Sequence, residues 1–390
     1  MSFPQLSPYI NPLRLMVVTV LLLTFGYFPR GTSFFYFLPS LVILSFIALN
    51  KYTISNKFLI IVFLISAIMP IPLMSLNIDI ARDITFLLYF FSAIILGQSL
   101  ARYMPLEYLI YGLFLAGAFI TIEVIVDLII GFQGDFSLLA IRHITPGAGD
   151  FGLVFMLIAF YGRKNLGLMF VFLISFFLML LTQSRTMLLS FLIWNYFLII
   201  TKSKKFFKWF LRFSAIVLVF LMVVLGASAD AESYSFIGKI LRSFQEIIPN
   251  ENQNLHSNWR AVESGIALNS FISGSYFEIF FGKGLGYSLP LGFEMTLLDE
   301  MDSIPILHNG YLYILLKYGI FGLFIWYKII SSLVIRNGDP ALVSISKTCF
   351  FIILFTQLVS GGVLQYQGLV FLIILAACST LNSKNATFNS

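Results

Sequence analysis

Pro305-Ile306-Leu307-His308-Asn309-Gly310-Tyr311 closes a polar stretch of 77 residues (229–305) and opens an apolar run over 307–330. Outside that stretch the chain is oily. It is 59% hydrophobic and 11% charged, with a mean hydropathy of +0.94, which excludes an ordinary water-soluble domain. A hydrocarbon core of about 30 Å requires about 17–25 apolar residues of each crossing helix. Twelve runs fit or approach this: 13–29, 34–50, 57–74, 84–101, 106–131, 150–162, 165–182, 186–201, 207–228, 307–330, 341–360 and 364–382. The expected fold is an all-α integral membrane protein of about twelve transmembrane helices, one polytopic domain over 1–390. The 229–305 loop, holding short amphipathic helices, falls between spans nine and ten.

Basic residues set the expected orientation. With the N-terminus inside, fifteen Lys and Arg fall on the inner side and eight on the outer, with Lys317 in mid-membrane. That bias satisfies the positive-inside rule for both termini in the cytoplasm, so the large loop is expected outside. The net charge of +6 is then mostly topological and gives no reason to invoke nucleic acid. The first twelve residues lack Lys and Arg, and no small-residue cleavage site follows the first apolar run, so no cleaved signal is expected. Cys349 and Cys378 fall inside spans, and the three histidines lack ligand spacing, so neither a disulfide framework nor a zinc site is expected.

The eight outer bases are six Arg and two Lys, whereas the inner fifteen are five Arg and ten Lys. Arginine is favoured where a planar fork must grip phosphate or carboxylate. The competing reading pairs these arginines with outer acids such as Asp79, Asp83, Glu263 and Asp302. Thr182-Gln183-Ser184-Arg185-Thr186 forms a tight outer turn in which Ser184 suits an N-cap and Arg185 falls in the first helical turn. A helix N-terminus beside a guanidinium makes an anion site; a snorkelling interfacial Arg is the alternative. Arg142, in the outer loop before the sixth span, is a second anion-binding candidate, with His143 taken as structural.

His256-Ser257-Asn258-Trp259-Arg260 begins an amphipathic helix expected to reach about Phe271. Its Trp259, Val262 and Ile266 stripe suits the bilayer surface or the protein roof. Arg260 and Glu263 share the other face, either as a functional group or as a surface ion pair. Gly282-Lys283-Gly284-Leu285-Gly286 reads as a flexible turn without the strand–helix context of a phosphate loop. At the head of span ten, His308, Tyr311, Leu315 and Tyr318 line one face. The N-terminal helix position keeps the imidazole neutral and able to accept a proton. Lys317, nine residues on, lies about 180° around and ~13 Å deeper, which removes it from the His308 site. An intramembrane charge needs a partner, and Glu123, near Asp127 in span five, is the expected one.

Taken together these residues resemble the O-antigen polymerase and O-antigen ligase superfamily. The matching pieces run in family order over about 140–325. They are Thr182-Gln183-Ser184-Arg185, then Trp259-Arg260-Ala261, the glycine turn at 282–286, His308-Asn309-Gly310-Tyr311-Leu312, and Tyr318-Gly319-Ile320-Phe321-Gly322-Leu323. Lys317 departs from the pattern, since the family often carries an acid near there. The resemblance implies a membrane glycosyltransferase at the periplasmic face of the bacterial inner membrane. It would act on undecaprenyl-diphosphate-linked glycans, displacing the lipid diphosphate with a sugar hydroxyl and using no metal, nucleotide or other cofactor. Arg142, Arg185 and Arg260 would meet the diphosphate and His308 the acceptor hydroxyl, with Ser184, Trp259, Asn309 and Tyr311 contacting substrate. The implied partners are the lipid-linked donor and acceptor, membrane lipid and a chain-length-regulating copolymerase. Polymerase is the leading reading; transfer to lipid A–core by a ligase is the alternative, and a lipid-linked glycan flippase or transporter the second.

Overall fold

The computed structural model describes residues 14, 16–21, 78–104, scattered positions between 108 and 126, 255–295, 301–359 and 368–388. Within them the elements run α1 (Ile78–Tyr103), α2 (Leu255–Ile272), α3 (Tyr276–Phe281), β1 (Leu289–Met295), β2 (Met301–Ile304), α4 (Gly310–Ser332), α5 (Pro340–Val359) and α6 (Leu369–Phe388). Helices α1, α4, α5 and α6 coincide with the fourth, tenth, eleventh and twelfth predicted spans. Among the described residues α1 and α4 are long and apolar enough to cross a membrane, and α5 and α6 carry the shorter apolar stretches Leu342–Leu358 and Leu369–Ser383. The remaining predicted spans lie wholly or largely outside the described residues.

Helix α6 packs along both α1 and α5. Its first ten residues are all buried, and α1 reaches it through Gly97, where a Cβ would stand 2.2 Å from the Ile373 carbonyl oxygen. Small residues that let helix backbones approach are how apolar helices associate when no water is expelled between them. Helix α4 sits against α5, with the Tyr311 hydroxyl donating to the Leu354 carbonyl at 2.9 Å and the Tyr311 ring edge-on to Trp326.

The polar loop departs from the all-helical expectation. Strands β1 and β2 pair antiparallel, Leu289 opposite Ile304, with an irregularity between Pro290 and Met295. Leu289 and Leu291 turn inward while Pro290 is exposed, the period-two pattern of a half-buried ribbon. Pro is tolerated because a two-stranded sheet has only edges. Helix α2 spans the residues expected, but it does not lie on a surface: residues 261–265 are all buried. It is enclosed by its neighbours, packing on α4, β1 and α3.

Helix α4 is kinked at Gly319, whose φ of 68° and ψ of −172° are not helical. The kink leaves the Leu316 and Lys317 carbonyls without their usual intrahelical partners, and the glycine turn supplies them. Lys283 N–H donates to Leu316 O at 2.6 Å and Gly284 N–H to Lys317 O at 3.1 Å. The contact is reciprocal. A Cβ on Gly282 would lie 2.3 Å from the Lys317 carbonyl carbon, and one on Gly319 2.2 Å from the Phe280 carbonyl oxygen. Residues 282–286 are therefore a wedge seated in the kink, which corrects the expectation of a flexible turn.

Candidate functional site

His308 stands two residues before α4, held in place from two directions. Asn309, with extended backbone, caps the helix: its Oδ1 accepts from the N–H groups of Tyr311 and Leu312 at 3.0 and 3.2 Å. From α2, the Glu263 carboxylate clasps His308 by two bonds. One oxygen accepts from the His308 main-chain N–H, and the other lies 2.7 Å from Nδ1. Glu263 is 1% exposed and the His308 side chain 50%. The acid is thus sealed beneath the ring while the far edge of the ring faces outward. With a carboxylate as acceptor, Nδ1 is the donor, so Nε2 presents its lone pair to whatever approaches.

This clasp corrects one expectation, that Glu263 shares an exposed face with Arg260. The carboxylate is buried, and it is stabilised there by two donors from a residue 45 positions away. Trp259 and Arg260, both half-buried, lie one helical turn before Glu263, so α2 brings them to the neighbourhood of His308. Asn309 and Tyr311 are placed differently: the Asn309 side-chain oxygen caps α4, and Tyr311 reaches into the α4–α5 seam. Arg142, His143, Ser184 and Arg185 lie outside the described residues.

A second acid–base cluster lies deeper on α4. Lys317, 2% exposed, is bonded to Asp83 of α1, which is fully buried. Glu123 lies outside the described residues, and the Lys317 partner is Asp83, six residues into a helix that starts before the apolar run does. Asp83 also accepts from the Tyr313 hydroxyl at 2.9 Å and the Gly286 N–H at 2.7 Å. Arg82 joins it at 3.4 Å, bonds Asp79 at 2.7 Å, and donates to the Pro305 carbonyl at 3.4 Å. Asp79 in turn accepts from Ser288 Oγ at 2.8 Å. Two carboxylates and two cations balance, which is the condition for charges to be kept out of water. Arg82 therefore follows the reading that pairs outer arginines with acids.

The cluster is a fastening, not a pocket. The adjoining cavity, lined by Tyr287, Pro305, Tyr313 and Lys317 among others, has room for about one water molecule. The glycine turn is no phosphate cradle either. The N–H groups of Gly282, Lys283, Gly284 and Gly286 already serve Glu278 O, Leu316 O, Lys317 O and Asp83. What the cluster does is tie α1 to the wedge, to Ser288 just before β1 and to Pro305, three residues before His308.

The stretch that carries the Glu263–His308 clasp and Lys317, though not the α1 acids, matches a known family. Residues 170–327 match the family model described as O-antigen ligase. Over these residues the chain is similar to the O-antigen polymerase and ligase superfamily. No curated protein and no solved structure matches it. The superfamily match covers Arg185, Arg260, Glu263 and His308, while Arg142 precedes it. Members are glycosyltransferase-like membrane enzymes that act on lipid-linked glycans. Sequence reasoning found His308 and α2 but missed Glu263 as the partner of His308. The available signal was an acid on the inner side of an otherwise apolar helical stripe.

Proposed function

We propose that this protein is a surface-polysaccharide polymerase of the O-antigen type. It transfers a growing glycan from undecaprenyl diphosphate to a sugar hydroxyl of a new lipid-linked repeat unit, at the periplasmic face of the inner membrane. The observation that carries the reading is the Glu263–His308 clasp, a half-exposed imidazole at the mouth of an apolar helix with a sealed carboxylate behind it.

The acceptor hydroxyl oxygen attacks the anomeric carbon as the bond from that carbon to the diphosphate oxygen breaks. The electron pair leaves with the lipid diphosphate, and the hydroxyl proton passes to His308 Nε2 and then to solvent. The Glu263 carboxylate keeps Nδ1 protonated and lies beside the charge the ring takes up. Arg260, one turn away on α2, and Arg185 and Arg142 from their own loops neutralise the departing diphosphate, whose charge grows in the transition state. No step in this scheme calls on a metal or cofactor, and a copolymerase would set chain length.

A transfer assay on the full chain in nanodiscs, supplied with lipid-linked repeat units, tests the scheme. His308→Ala is expected to lower turnover by about 10²–10⁴-fold and Arg185→Ala by a comparable factor; near-wild-type turnover in both would sink it. The family description favours one second reading, a ligase that moves the finished chain to lipid A–core. A deletion strain separates the two: single repeats on core mean a lost polymerase, bare core a lost ligase.

A further inference from the structure

Helix α3 is six residues long, Tyr276-Phe277-Glu278-Ile279-Phe280-Phe281, and none of them is buried. Tyr276 is 86% exposed and Phe280 54%, and Ile272 just before the helix is exposed as well. Of its five apolar side chains Tyr276, Phe277 and Phe280 are exposed and the other two only half-buried, which runs against the hydrophobic effect if water is the neighbour. Their position on α4 shows that water is not.

Beyond the kink, α4 has only thirteen residues, 320–332, about 20 Å at 1.5 Å each. Adding the apolar residues 333–335 makes sixteen, still short of the about 20 residues a hydrocarbon core demands. Hydrocarbon must therefore reach past Gly319 at least as far as Leu316. The wedge is bonded to Leu316 and Lys317, so the C-terminal end of α3, which runs directly into it, sits at the same depth.

The surroundings agree. The Phe281 ring packs edge-on to Phe321 of α4 at 5.9 Å, and Ile320, Phe321 and Phe324 are themselves exposed, the face a crossing helix turns to lipid. The two exposed faces are continuous. The polar groups of the segment are at its other end or turned inward. Ser275 and Glu278 close a capping box at the N-terminus of α3, with Glu278 Oε2 accepting from Ser275 N at 2.7 Å. The Lys283 ammonium is folded back onto Ser270 Oγ at 2.9 Å and Tyr287 Oη at 3.4 Å.

We infer that α3 is a re-entrant element whose Tyr276, Phe277 and Phe280 face lies against the acyl chains of bilayer lipid, in the leaflet entered by the N-terminal half of α4. The segment descends from the capping box, reaches its deepest point at the wedge, and returns to the interface through β1. Tyr276, next to the polar end, takes the interfacial place that amphipathic aromatic rings favour.

Site-directed spin labelling of the full chain in liposomes tests this without reference to catalysis. The two native cysteines, both buried, are replaced by alanine, and Tyr276→Cys and Phe280→Cys are labelled singly. Phe324→Cys gives the lipid-facing reference and Arg336→Cys the aqueous one. Collisions with oxygen are expected to exceed those with a water-soluble nickel chelate several-fold at both positions, as at residue 324, and by more at 280 than at 276. A residue-336-like ratio at both positions would place α3 in water and overturn the inference. Exclusion of both reagents would also overturn it, by showing that protein or a second copy covers the face.

Discussion

Helix α4 and the residues that lead into it carry two acid–base pairs nine residues apart, and they have opposite characters. His308 with Glu263 leaves one ring edge open to solvent, whereas Lys317 with Asp83 is closed on every side and doubly bonded into neighbouring elements. A pair that keeps an unshared donor or acceptor facing outward can exchange a proton with a substrate. A pair whose every group is satisfied inside can only hold elements together. The two should therefore fail differently when broken: the sealed pair in stability, the open one in turnover.

The largest effect is expected at the sealed pair. Asp83→Ala leaves the Lys317 ammonium, the Tyr313 hydroxyl and the Gly286 N–H without their acceptor and is expected to cost about 3–5 kcal/mol, read as a lower melting temperature in detergent. The double variant Asp83→Leu with Lys317→Met removes both charges and should recover part of that loss. A double variant no better than Asp83→Ala would mean that the ion pair is not what the cluster contributes. At the open pair, Glu263→Gln keeps the shape but weakens control of the ring tautomer. Turnover is expected to fall by about 10-fold or more, with KM and melting temperature little changed and the pH profile of kcat displaced. A fall in melting temperature as large as that of Asp83→Ala would erase the distinction between the pairs.

The smallest expected effect lies outside both pairs, at the capping box of α3. Ser275→Ala should cost about 1 kcal/mol. The hydrogen bond from the Ser275 main-chain N–H holds the Glu278 carboxyl below its ordinary value of 4.5. A depressed folded-state pKa gives stability that is present above the unfolded value and lost as pH falls through the folded one. Wild type should therefore lose a small increment of stability below about pH 4.5, and Glu278→Gln should lose none there. Identical acid profiles for the two would show that the box does not form in the membrane.

The sequence made the two pairs unequally legible. His308 was readable because it stands where a polar loop gives way to an apolar run, and α2 because its apolar spacing is periodic over 18 residues. Both are local signals. The partners were not readable, because Glu263 lies 45 residues from His308 and Asp83 is 234 from Lys317. Asp83 was hidden further by standing just before the apolar run, although the helix begins at Ile78 and carries it inside. Pro290 and Gly292 obscured the hairpin, since both are uncommon in strand interiors. The glycine turn looked flexible because its three positive-φ positions are shaped for a kink that only the fold reveals.

That seating of main chain against main chain limits how the protein can open. Lifting the 282–286 segment off α4 would strip the Leu316 and Lys317 carbonyls of their donors beside a cavity with room for only about one water molecule, at about 2 kcal/mol or more for each group left unpaired. The segment is thus a hinge pin and not a door. In the proposed reaction, a bulky glycan would reach His308 by a route that leaves the wedge in place.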